Sequence, residues 1–341
     1  MDPLQAIRIG FDATCSLVIR GANDHPLPVS PDGPANWDVI VWMDHRATRE
    51  AEQCTATGSK VLEYIGGTMS PEMEIPKLMW LKRHSPAVWS KMTAAYDLAD
   101  FLAFRATGDN ARSCCTVTCK WTHLAHEDSP WNQDFLSSVG LDDFIEKVGI
   151  DGPAVAVGTP VGKLSAKAAT ELGLNTDCMV GAGLIDAHAG ALGTLGAHLG
   201  GNLDQRFAMI AGTSTCHMAL SAEPRFIKGV WGPYFGAVAP GLWLNEGGQS
   251  ATGALLDHIC AMHPFARDMG RDAHRLAGEK LLPRMMEKAD LAPRLHMLPD
   301  FHGNRSPLTD PEALGVISGL SLDQSEDSFL DLYWATACAI A

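Results

Sequence analysis

The feature that most constrains this chain is a short apolar run, CMVGA at residues 178–182, that empties into a stretch made almost only of glycine, alanine and leucine, GAGLIDAHAGALG at residues 181–193. The run has the length and character of a buried strand. Gly183 ends it, and the residues from 187 to 195 predict a helix. The stretch holds one acid, Asp186. Glycines around it let a ligand approach the backbone closely. A carboxylate at a strand end, with few large side chains beside it, is placed to act as a base. The residues equally allow Asp186 to be the N-cap of the helix that follows.

Similar strand and helix signals recur along the chain. Residues 7–11 (IRIGF), 17–19 and 39–42 (VIVW) predict strands, the last of them buried, and Asp44 is placed to cap a helix carrying Arg46 and Arg49. Gly66 and Gly67 interrupt that pattern. A helix is expected to begin at residues 76–81 with Pro76 in its first turn. Asp97 caps a helix over 98–107 that Gly108 stops, and Ser165 and Gly173 bracket another over 166–172. Alternation of this kind points to an α/β fold. The glycine-rich segment 193–201 suggests a boundary, giving lobes 1–197 and 198–341. In the second lobe, residues 206–211 predict a strand running into GTSTCH, 231–243 two extended pieces and 250–258 a helix. A solvated helix pair is expected over 266–291, and a last helix over 331–341.

Composition narrows the function classes. A chain of 341 residues can build two domains with cores of their own. Its net charge of -14 repels nucleic-acid backbones and anionic membranes, so neither is expected as a partner. Nine scattered cysteines fit reduced thiols in a cytoplasmic protein better than a disulfide framework. The opening MDPLQAIRIG has neither the basic start nor the apolar core of a leader, and no apolar run approaches the length of a membrane span.

Three further motifs carry chemistry. Gly212-Thr213-Ser214 follows an apolar strand and offers amide and hydroxyl donors to an anion, or is a plain hairpin turn. NEGGQS at 245–250 sets a carboxylate and open amides before a helix. WMDHR at 42–46 clusters polar groups at a strand's C-terminal end, where open α/β folds bind ligands. Lys120 reads on its own as an exposed strand lysine. Cys115 and Cys119 lie near His123, which allows zinc, although buried thiols are the simpler reading. His45, His188, His217 and His302 fit structural roles. Arg305 is either a turn residue or a contact between lobes.

Taken together, FDATCS (11–16), VIVWMDHRA (39–47), IDAHAG (185–190), GTSTCHM (212–218), GVWGPY (229–234), NEGGQS (245–250) and PDFHGNRSP (299–307) resemble the FGGY carbohydrate kinases, most closely the D-ribulokinase-like pentulose kinases. The resemblance implies an actin-like ATPase fold, two ribonuclease H-like lobes, with ATP and Mg2+ against the second and the sugar against the first. It implies Asp186 as catalytic base, Lys120 and Glu246 as sugar contacts, Cys15, Ser16 and Glu72 as further sugar-side groups, and Gly212, Thr213 and Ser214 as a phosphate loop. Metal ligands are not identified by it. Lys77 to Leu81 fit the family's sugar-proximal signature, but Glu74 stands where a small residue, a hydroxyl residue or proline is usual. Neither the family's Asp-x-Gly-Thr loop nor its glycine-rich adenosine motif is found, so the fold is expected to be incomplete at both termini. The expected function is therefore phosphorylation of a pentulose such as D-ribulose, the alternative being an inactive fragment that keeps a sugar-binding cleft. A zinc hydrolase is a third, more distant reading. Self-association, as a homodimer, is left open.

Overall fold

A computed structural model of the chain describes residues 3–30, 33–150, 152–288 and 291–341. The chain divides into two compact units, one of Met1–Ala208 with Met218–Glu246, the other of Met209–His217 with Gly247–Ala341.

The first unit is a mixed α/β body. Its early strands are β1 (Arg8–Ile9), β2 (Asp12–Ala13), β3 (Leu17–Gly21), β4 (His25–Pro26), β5 (Val39–Ile40) and β6 (Met92–Asp97). They are followed by β7 (Pro160–Lys163), β8 (Met179–Gly181) and β9 (Leu184–Ile185). The apolar run at 178–182 supplies β8, which lies between β1, in parallel, and β7, antiparallel. The chain breaks at Gly183 and resumes as β9, parallel to β2. A Cβ on Gly183 would meet the Ala99 carbonyl oxygen at 3.0 Å, so glycine is required for that approach. Strand β3 is buried throughout and pairs antiparallel with β4, β5 and β6.

Nine helices of this unit connect and cover the strands among the described residues: α1 (Thr48–Ala56), α2 (Glu74–His84), α3 (Pro86–Lys91), α4 (Leu98–Thr107), α5 (Cys114–Lys120), α6 (Gln133–Ser138), α7 (Phe144–Val148), α8 (Ala166–Leu172) and α9 (Asp186–Leu195). Cap chemistry sets two of them as expected. Asp97 accepts the Ala99 N–H before α4 and Gly108 ends it in the left-handed region. Ser165 accepts the Ala168 N–H before α8, and Gly173 closes it likewise. Pro76 lies in the first turn of α2.

Three local expectations are corrected. The strand at 39–42 is only two residues long, and Val39 and Val41 are 36% and 50% exposed, so it is not a buried strand. Asp44 caps no helix, because α1 begins four residues later and the Asp44 carboxylate is taken by the Arg46 guanidinium at 2.7–2.9 Å. Lys120 is the last residue of α5 rather than part of a strand, and it is 3% exposed.

The next strands are β10 (Ala208–Ala211), β11 (Thr215–Ser221), β12 (Trp231–Phe235) and β13 (Trp243–Gln249), in the sheet order β10-β11-β13-β12. Within the first unit, β12 and β13 are antiparallel, with Trp231 opposite Glu246 and Tyr234 opposite Leu244. The second unit adds α10 (Gly253–Met262), α11 (Arg271–Glu287), the hairpin of β14 (His296–Leu298) and β15 (Val316–Ser318), and α12 (Glu326–Ile340). The segment expected as a helix pair is the single helix α11; residues 289–290 of it lie outside the described residues. Phe329 and Leu330 of α12 are fully buried against Ala273, Ala277 and Leu281 of α11, which makes a small second core. Among the described residues no helix is long and apolar enough to cross a membrane.

Candidate active site

Asp186 is the first residue of α9, directly after β9, and its side chain is exposed. It is not the N-cap: Ile185 holds that position and makes no side-chain cap bond. The Asp186 Oδ1 instead accepts the N–H of Ala187 at 2.7 Å. A carboxylate in the first helical turn lies at the positive end of the backbone dipole.

Buried polar groups gather elsewhere in the same unit. At the C-terminal end of α5, the Lys120 ammonium lies 4.2 Å from the centroid of the Trp231 ring. That contact and the negative end of the helix both favour a cation there. Strand pairing sets Glu246 opposite Trp231, and Glu246 is 3% exposed. Its Oε2 is 3.6 Å from His188 Nε2 and makes no hydrogen bond. The Tyr234 hydroxyl is likewise buried without a hydrogen-bond partner. Burial, and then the neighbouring Cys119, Glu246 and Cys15, push that phenol well above its usual range. Cys15 belongs to the same neighbourhood: burial raises its thiol to about 12, countered chiefly by Lys120, so it stays a neutral donor.

Ser16 and Glu72 are held by other partners. The Ser16 hydroxyl accepts the Trp42 N–H at 3.1 Å, which braces the 42–46 loop. Glu72 Oε1 is 3.4 Å from His45 Nε2 in that loop. The structure therefore collects Cys15, Lys120 and Glu246 in one buried neighbourhood and ties Ser16 and Glu72 to the loop after β5.

Glu74, which departs from the family signature, is fully buried at the start of α2. Its Oε2 is 3.6 Å from the equally buried Lys77 ammonium, and neither carboxyl oxygen makes a hydrogen bond. Burial raises Glu74 from 4.5 to about 7, against the pull of Lys77 and Lys120. Such a pair is costly to break, since removing one partner strands the other charge.

In the second unit, Gly212 and Thr213 form an exposed turn between β10 and β11, with Ser214 partly covered. The N–H groups of Gly253 and Thr252 donate to the carbonyls of Gly212 (3.0 Å) and Thr213 (2.9 Å). The first amides of α10 are thus spent on fixing the turn. A Cβ on Gly253 would come within 2.6 Å of the Gly212 oxygen, which requires glycine there. Arg305 packs over Gly248, where a Cβ would lie 2.7 Å from its Cδ.

The cysteine–histidine expectation is also corrected. His123 is not the partner of Cys115 and Cys119; His188 is, with its Nε2 3.2 Å from the Cys119 sulfur. Burial pushes His123 down to about 4 instead, and its ring packs edge-on to Trp131. Sequence reasoning passed over Trp231 and Tyr234 as site groups, although both lie inside the GVWGPY motif, and His188 was read as purely structural.

Two family models cover most of the chain: residues 36–193 match the N-terminal domain of the FGGY family of carbohydrate kinases, and residues 207–341 match its C-terminal domain. An FGGY carbohydrate kinase domain-containing protein of Danio rerio is 46% identical over 98% of this chain and 65% of its own length. A D-ribulokinase of Saccharomyces cerevisiae is 40% identical over 99% of this chain and 53% of its own length. The chain thus spans less than two thirds of these relatives. Among solved structures, a xylulose kinase from Rhodospirillum rubrum superposes with a TM-score of 0.70 at 21% identity, covering 95% of this chain and 60% of that one.

Proposed function

The chain belongs to the FGGY family of carbohydrate kinases and has its mixed α/β, actin-like fold, and on that premise we propose that it transfers the γ-phosphate of ATP to the terminal hydroxyl of a pentulose, D-ribulose for preference, with Asp186 as the base. One observation carries the reading. Lys120, Trp231, Glu246 and Tyr234 form a buried group in which Glu246 Oε2 and the Tyr234 hydroxyl make no hydrogen bond. Buried polar atoms left unpaired are costly, and the hydroxyls of a polyol would satisfy them. The 40% identity to a D-ribulokinase supports a pentulose as the sugar.

Each group then has a task. Lys120 donates to sugar oxygens and Glu246 accepts from hydroxyls, and charge makes both bonds stronger than neutral ones. Cys15 contributes a neutral thiol, while Ser16 and Glu72 shape the loop beside them. Asp186 accepts the proton of the attacking hydroxyl, worth about 10²–10⁴-fold in rate. Holding the reactants in line is worth more, about 7–11 kcal/mol, because phosphoryl transfer is dominated by positioning.

The exposed, braced turn of Gly212, Thr213 and Ser214 suits a phosphate through its Thr213 and Ser214 hydroxyls, without a competing acid of its own, the Gly212 N–H being given to the Ser214 carbonyl at 2.8 Å. Magnesium, carried on the phosphates with one or two carboxylates, would neutralise charge there. The protein would act in the cytoplasm.

The test is sugar-dependent release of ADP from ATP, with the phosphorylated product identified by phosphorus NMR, across D-ribulose, D-xylulose, aldopentoses and glycerol. D-ribulose is expected to give the highest kcat/KM. Turnover on none of these sugars, or equal turnover on glycerol, contradicts the reading.

A further inference from the structure

The sugar-side neighbourhood has a second chemistry beside it. Cys115 and Cys119 stand one turn apart on the same face of α5, which points both sulfurs one way. His188, on α9, meets them: the two sulfurs and an imidazole nitrogen all lie within 4.8 Å of one another. The three residues are 0%, 1% and 1% exposed. Among the described residues this is the one cluster of three or more metal-ligating side chains. Two sulfurs and one imidazole nitrogen form a soft donor set, suited to zinc and unsuited to magnesium or calcium.

We propose that Cys115, Cys119 and His188 form a buried zinc site. The inference does not rest on the kinase reading, since none of the three ligands is assigned to the sugar, the nucleotide or the transferred proton. On binding, both thiols lose their protons to solvent, and two thiolates balance the dication while the imidazole stays neutral. The ring is anchored only on its Nε2 side, because Nδ1 is buried without a hydrogen bond. A metal bond at Nε2 holds such a ring more firmly than the 3.2 Å contact to a thiol does. A site buried this deeply is filled as the chain folds, as structural metal sites commonly are.

The test is metal content and spectroscopy on the full chain, produced with zinc or with cobalt in the growth medium and purified without chelators. About one zinc per chain is expected, with the cobalt form showing sulfur-to-cobalt charge transfer and the intense visible bands of a tetrahedral ion. Cys119→Ser and His188→Ala should each lower bound zinc by at least the roughly tenfold that loss of a mere outer-shell partner costs, whereas Cys260→Ser, in the second unit, should leave it unchanged. Independently of any variant's folding, X-ray absorption of the zinc-loaded wild type should show two sulfurs at about 2.3 Å and at least one nitrogen at about 2.0 Å. Zinc-free protein from zinc-supplemented growth, or a coordination shell without sulfur, overturns the proposal.

Discussion

Asp100 shows how burial sets the behaviour of single residues in the first unit. It is 1% exposed, and it accepts hydrogen bonds from the Thr116 hydroxyl (2.6 Å) and the Ser113 N–H (2.9 Å). Burial still raises it from 3.8 to about 6, against the pull of Arg112. The native state therefore keeps a proton that the unfolded chain releases at lower pH, so this residue's contribution to stability falls as pH rises between those two values. Asn is neutral throughout and can replace both bonds, since the Thr116 hydroxyl also reaches the Ser113 carbonyl at 2.9 Å. Asp100→Asn should thus gain on wild type by a few kcal/mol between pH 4 and pH 7. Urea unfolding at the two pH values measures it, and parallel pH profiles would refute it.

The same scale shows what the sequence can and cannot tell. Asp186, Lys120 and Glu246 are proposed as site residues from the family resemblance, which carries residue identity. The burial of Lys120 and Glu246 was not legible: Lys120 read as an exposed strand residue, yet α5 carries it under the Trp231 ring. The histidine partner of Cys115 and Cys119 was misread because His123 is near them in sequence, whereas His188 reaches them only through the packing of α5 and α9. Proximity along a chain is a poor guide to ligand sets assembled from two elements.

At the scale of elements, what was legible is what local chemistry decides. Helices α4 and α8 appear where an Asp or Ser cap and a closing glycine set them, because each cap bond spans only a few residues. The Ser165 hydroxyl, accepting the Ala168 N–H at 3.1 Å, should contribute about 1 kcal/mol, so Ser165→Ala is expected to lower stability by that amount. Chemical denaturation checks this, and an unchanged midpoint would contradict it. Strand β5 was over-read because an apolar run signals burial only if a neighbouring layer covers it, and Val39 and Val41 remain exposed. Asp44 was misassigned for a related reason. An acid before a helix is a cap only if no stronger partner competes, and the Arg46 guanidinium does.

At the scale of the molecule, the proposed sugar groups and the proposed base all belong to the first unit, while the braced Gly212 turn belongs to the second. Sugar binding and phosphoryl transfer should therefore be separable experimentally. Asp186 is the residue at which to separate them, because it is exposed and its one backbone bond, from Ala187, is kept by an asparagine. The decisive measurement is D-ribulose binding by calorimetry set beside ATP-dependent turnover, for wild type and Asp186→Asn. The account predicts sugar affinity within about twofold of wild type and kcat lower by about 10²–10⁴-fold. A variant that keeps full turnover while binding sugar normally would contradict it.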